Sequence, residues 1–208
     1  MKSVTERVYL TDFILACLAY CLFVGSDSIV KYLGSDYSIV QIIFVNSWFA
    51  LIPIVLYTQT LNGWRKLKKA NFTVHFFRAL TMALALFFGY TGFYRLPMVT
   101  MYSIVFLIPL MITIGSVFFL GEVVRWKRFT AILIGFIGAI ISINPFGTEY
   151  DNYIFLALFC PIFASASYLI VRKYGFKENL FSFLIYGKIL MLVLTGVFAL
   201  FIFKPVSL

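Results

Sequence analysis

Long apolar runs separated by short polar segments organise this chain. The runs cover about 13–33, 38–58, 76–94, 98–120, 129–145, 153–171 and 181–203, each near the ~20 residues that a helix needs to cross a bilayer. Alternation of period two is absent, which argues against an outer-membrane barrel. The pattern predicts an all-α membrane protein with about seven transmembrane helices and no linker long enough for a soluble domain. Pro53, Pro109 and Pro161 fall inside spans and are expected to kink them. Composition agrees, with 62% hydrophobic, 20% aromatic and only 12% charged residues.

The opening "MKSVTER" before an apolar run resembles a signal peptide, but the run continues past Cys17 to the length of a full span. Cys17, Cys21 and Cys160 all lie within spans, where a thiol behaves as a small hydrophobe, so a disulfide framework is not expected.

Charge supplies orientation. Net charge is +9, with 17 Lys and Arg. With a cytoplasmic N-terminus, Lys2, Arg7, Arg65, Lys66, Lys68, Lys69, Arg78, Arg125, Lys127, Arg128, Arg172, Lys173 and Lys177 fall on the inner side, and only Lys31, Arg95 and Lys204 on the outer. Basic loops stay cytoplasmic. The expected topology is therefore multi-pass, with the N-terminus inside. The "WRKLKK" run with Trp64 reads as an interfacial anchor against anionic lipid rather than a nucleic-acid site. The partner expected from these features is the lipid bilayer, with no nucleic acid.

An internal echo follows. "IVKYLG", beginning at Ile29, and "IVRKYG", beginning at Ile170, each end a span and precede a short polar linker. An odd number of helices separates the copies, so the second enters the membrane from the opposite side, as in inverted-repeat transporters.

Residues 78–145 resemble the EamA family of the drug/metabolite transporter superfamily. The matching features are an Arg opening span three, a short hairpin, Pro109 within span four, the "FLGE" that closes it, and a Gly-rich span five. "GSDSIVKYLG" and "SYLIVRKYG" are similar to the family's endings of spans one and six, the former most like importers of S-adenosylmethionine or riboflavin. The resemblance implies two five-helix inverted repeats and alternating-access transport of a small organic metabolite. Residues 1–145 would be the first repeat and 146–208 the first two helices of an incomplete second. The family carries ten helices, so the chain is expected to be truncated after the seventh: a fragment, part of a split gene or a degenerate copy. Transport would then need the missing helices in cis, from a second chain, or a homodimer. The alternatives are a non-transporting membrane interaction protein or gene remnant.

The candidate substrate-binding residues centre on Asp27, about 14 residues past Phe13, roughly 21 Å along a helix and thus within the bilayer. Either it pairs with Lys31 one turn on and snorkels outward, or it faces a water-filled pocket and meets a cationic or polar group. Ser26, Asn46, Tyr90, Tyr94, Tyr102 and Tyr168 are its candidate neighbours, and Trp48 is a cavity wall or merely buried. Glu122 is expected to be neutralised by nearby Arg125, Lys127 and Arg128, Arg78 to anchor span three to headgroups, and His75 to sit at an interface without chemistry. Ala131, Gly135 and Ala139 form a small-residue face on span five that favours close packing. Lys188 in the seventh span invites comparison with retinal proteins, but span three holds no acid for a counter-ion, and snorkelling to the cytoplasmic surface is expected instead. Metal-ligand clusters, a partnered nucleophile and phosphate-cradling glycines are missing, so no enzyme, metal site or cofactor is expected.

Overall fold

The computed structural model describes residues 2–60, 67, 71–143, 152–176, 178 and 180–202, with the side chains of all but 2–10, 128, 142, 143 and 180 of these. Most of the "WRKLKK" run, Trp64 and Lys204 lie outside the described residues. The helices are α1 (Lys2–Leu33), α2 (Ile39–Thr60), α3 (Phe72–Arg95), α4 (Met98–Val105), α5 (Ile108–Leu120), α6 (Trp126–Ile143), α7 (Tyr153–Ala157), α8 (Phe159–Tyr174) and α9 (Leu180–Ile202). Among the described residues there is no strand, and six segments are long and apolar enough to cross a membrane, with a shorter apolar stretch, Phe129–Ile141, in α6. The protein is an all-α membrane protein of about seven spans, as the hydropathy pattern predicts.

Two expected spans are interrupted. Span four divides into α4 and α5 at Phe106 and Leu107, and span six into α7 and α8 at Leu158. The cause is the same in both. A proline cannot donate to the carbonyl four residues back and its ring clashes with it. Counting back four from Pro109 and Pro161 reaches Val105 and Ala157, the last residues of α4 and α7. Pro53, by contrast, lies within a continuous α2.

Local signals set other boundaries. Asn71 caps α3, its side chain accepting from the Thr73 N–H at 3.2 Å. Gly121 closes α5 in the left-handed region (φ 69°), where a side chain would be strained, and its N–H returns to the last turn.

Helix α3 is the hub, packing against α1, α2, α4, α7, α8 and α9, while α2 lies along α9, α5 along α8, and α6 against α4 and α5. One apolar core joins Phe93, Leu96, Met101, Ile104, Ala157 and Cys160, and a second joins Val30, Ile42, Ile43, Tyr90 and Met191. Large apolar side chains such as Phe13, Leu22, Phe118 and Leu200 point outward, as a helix bathed in lipid tails requires. The small-residue face of α6 packs unevenly: Ala139 is buried, but a Cβ at Gly135 would meet nothing within 4 Å, and Ala131 and Gly135 border a groove of about 250 Å³ beside α4 and α5.

Candidate functional site

Helix α1 meets the body mainly through α3, and Ser26, Asp27, Val30 and Lys31 share the packed side because they are spaced three and four apart. Val30 is buried against Tyr90, which draws Asp27 inward. The Asp27 carboxylate accepts a hydrogen bond from the Tyr102 hydroxyl of α4 at 3.0 Å. Phe93 holds the Tyr102 ring in an edge-on contact, centroids 5.1 Å apart. Tyr90, buried on α3, stands beside Ser26 and within electrostatic range of Asp27, as does Cys160 of α8. A half-buried acidic centre is thus flanked by α1, α3 and α4, close to α8.

The pairing of Asp27 with Lys31 does not form. The Lys31 ammonium donates instead to the Leu96 carbonyl at 2.7 Å, capping the C-terminus of α3, where a cation offsets the helix dipole. Among the described residues no Lys or Arg closes on Asp27. Its carboxylate, fixed by one phenol, retains acceptor capacity for a cationic group.

Ser26 also lines a groove of about 620 Å³ between α1 and α2, opposite Gln41 and Asn46, with Cys21, Gly25 and Ile29 among its apolar walls. Of the candidates, Ser26, Tyr90 and Tyr102 therefore gather at Asp27, and Asn46 faces the adjoining groove. Tyr94 and Tyr168 stand apart. The Tyr94 ring packs on Gly34 and under the Arg95 guanidinium at 4.7 Å. Tyr168, exposed on α8, lies within electrostatic range of Arg78. Trp48 is not buried: it is half exposed beside Val45, Phe49 and Ile52 on the outer face of α2.

Several structural expectations change. Arg78 turns into the bundle rather than toward headgroups, donating to the Phe183 carbonyl of α9 at 2.7 Å, with its charge over the Phe183 ring. Glu122 takes Arg172 of α8 as its partner at 2.8 Å rather than Arg125 or Lys127, and the side chain of Arg128 lies outside the described residues. His75 is buried, and its Nε2 meets Glu178 at 3.3 Å. Glu178 also accepts from the Asn71 N–H at 3.0 Å, binding the α8–α9 connection to the start of α3. Lys188 lies half buried near Arg78. Cys17, Cys21 and Cys160 are free thiols, and among the described residues no cluster suits a metal ion. Sequence reasoning missed Gln41 and Glu178, whose partners or surroundings come from distant helices.

Residues 11–144 match the EamA-like transporter family. The chain is 30% identical over 196 residues to an S-adenosylmethionine uptake transporter of Rickettsia felis, covering 91% of this chain and 64% of that one. It is 24% identical over 172 residues to a riboflavin transporter of Vibrio cholerae, covering 81% and 57%. It is 21% identical over 174 residues to the pseudopaline exporter CntI of Pseudomonas aeruginosa, covering 83% and 61%. The chain spans less than two thirds of the length of these relatives. No solved structure gives a significant match.

Proposed function

The chain belongs to the EamA-like transporter family, and on that basis we propose that it carries a small cationic or zwitterionic metabolite of the S-adenosylmethionine kind, with Asp27 receiving the solute's positive charge. The observation that supports this is the carboxylate held within the bundle by Tyr102 alone, without a cationic side chain upon it among the described residues. An ionised carboxylate is costly at membrane depth, and a sulfonium or ammonium group offsets that cost. The rings of Tyr90, Phe93 and Tyr102 supply the aromatic faces that such cations favour.

In this reading the chain is a carrier rather than an enzyme, in a bacterial inner membrane with its N-terminus cytoplasmic. Residues 1–145 form one five-helix repeat and 146–208 the beginning of an inverted second. The relatives named as S-adenosylmethionine uptake transporters support the solute class, since their similarity extends over most of this chain.

The experiment is equilibrium binding of radiolabelled S-adenosylmethionine to the chain in lipid nanodiscs. Asp27→Asn keeps the size and hydrogen bonding of the side chain and removes its charge. Its affinity is expected to fall at least tenfold, about 1.4 kcal/mol, with helicity unchanged. Equal affinity in the two proteins would remove Asp27 from the solute path.

A further inference from the structure

Among the described residues, two half-buried cations, Arg78 of α3 and Lys188 of α9, lie within electrostatic range of each other with no carboxylate paired to either. Arg78 stands on α3 six residues past its start, roughly 9 Å in. Its guanidinium reaches α9, donating to the Phe183 carbonyl and lying against Gly187 one turn on, where a Cβ would collide with Nη1. The glycine is what lets the planar group rest on the helix. Lys188, the next residue, is within electrostatic range of Arg78. Tyr168 of α8 is within electrostatic range of Arg78, and the neighbouring Ser167 hydroxyl donates to the Arg78 carbonyl at 3.4 Å.

The neighbouring charges do not neutralise this pair. Glu178, the carboxylate closest in sequence to this end of α9, is engaged by His75 and the Asn71 N–H. Glu122 is engaged by Arg172. Among the described residues no carboxylate pairs with Arg78 or Lys188, and the Arg78 Nε is buried without a hydrogen-bond partner. Holding like charges close together in a half-buried place is unfavourable, and an anion between them offsets that cost. A guanidinium offers a fork of donors that matches a carboxylate, and an ammonium beside it adds a point charge.

We propose that Arg78 and Lys188, brought together by α3 and α9 beside Tyr168, form a subsite for the carboxylate of the transported solute. The proposal rests on the carrier reading above and names the second charge of the solute. Tyr90, beside Asp27, and Arg78 are twelve residues apart on α3, roughly 18 Å. The acidic and basic centres are therefore successive stations at two depths, the first holding the solute by its cation and the second by its anion.

The test places a single cysteine at Tyr168, with Cys17, Cys21 and Cys160 changed to Ser, and follows its alkylation in phosphatidylcholine nanodiscs. S-adenosylmethionine is expected to slow alkylation at least tenfold at saturation, and its decarboxylated form to have no effect. Arg78→Gln and, separately, Lys188→Gln should abolish the protection with helicity retained, and Arg78→Lys should restore part of it. Equal protection by the two forms overturns the subsite and leaves the carrier reading standing. So does unchanged protection in both Gln variants, or binding that depends on Asp27 with no protection at Tyr168. Protection by phosphatidylglycerol in the absence of solute overturns it too, assigning the cations to a lipid phosphate. Failure of either form to bind the chain at all defeats the carrier reading and the subsite together.

Discussion

Asp27 and Lys31 are one turn apart on α1, yet each finds its partner on another helix, Tyr102 and the Leu96 carbonyl respectively. A charged pair at that spacing in water would contribute only a few tenths of a kcal/mol. Within the bundle each side chain gains more from a partner held in place by the packing of another helix. The two residues thus separate into different tasks, and substitution should separate them again. Lys31→Gln is expected to lower stability by about 1 kcal/mol through loss of the α3 cap while leaving S-adenosylmethionine affinity within twofold, measured by chemical unfolding and by binding on the same nanodisc samples. A loss of affinity as large as that of Asp27→Asn would show that the two act as one unit. The intramembrane carboxylate was legible in the sequence because acids are rare in apolar runs. Its partner Tyr102 stood among six candidate neighbours but was not singled out, because spacing along one helix says nothing about which helix it faces. The same reason hid the burial of His75, whose partner Glu178 is 103 residues away, and the turn of Arg78 toward α9.

At the scale of elements, the spans were readable because hydropathy over ~20 residues is a strong signal. The prolines marked where two of them would be interrupted, although they equally suggested a disturbance at Pro53, where α2 runs on. Which helices touch was the part that composition concealed. Glycines on α3 decide much of it. A Cβ at Gly92 would overlap the Met101 thioether and come within 3.2 Å of the Ala157 Cβ, and one at Gly89 would lie 3.1 Å from the Cys160 sulfur. Gly92→Ala is therefore expected to destabilise the chain by about 1–3 kcal/mol, as overpacking does, because α3 must withdraw from α4 and α7. Gly135→Ala on α6 enters open space and should be neutral or stabilising by up to about 1 kcal/mol. Unfolding midpoints of the two variants, compared in one detergent, check both; equal effects would contradict the packing described for α3 and α6.

For the molecule as a whole, the positive-inside bias predicts that the N-terminus and the 59–75 connection face the cytoplasm. A reporter enzyme fused after Lys69 is expected to register as cytoplasmic, and a periplasmic signal would invert the assignment of every connection. That orientation would put Arg78, Lys188 and the His75–Glu178 contact on the inner side, and Asp27 toward the outer. The packing of α2 chiefly along α9 bears on how the protein is made. About 140 residues lie between Thr60 and Ile202, so at a ribosome's 5–20 residues per second α2 waits on the order of 10 s in the bilayer before its main neighbour is synthesised, whereas α1 meets α3 much sooner. During that interval Gln41, Ser47 and Thr58, buried in the finished bundle, lack their final surroundings. The half-made chain is at its most vulnerable to membrane quality control there, and a pause in translation at any connection between α2 and α9 would lengthen that exposure, whereas one before α2 would not.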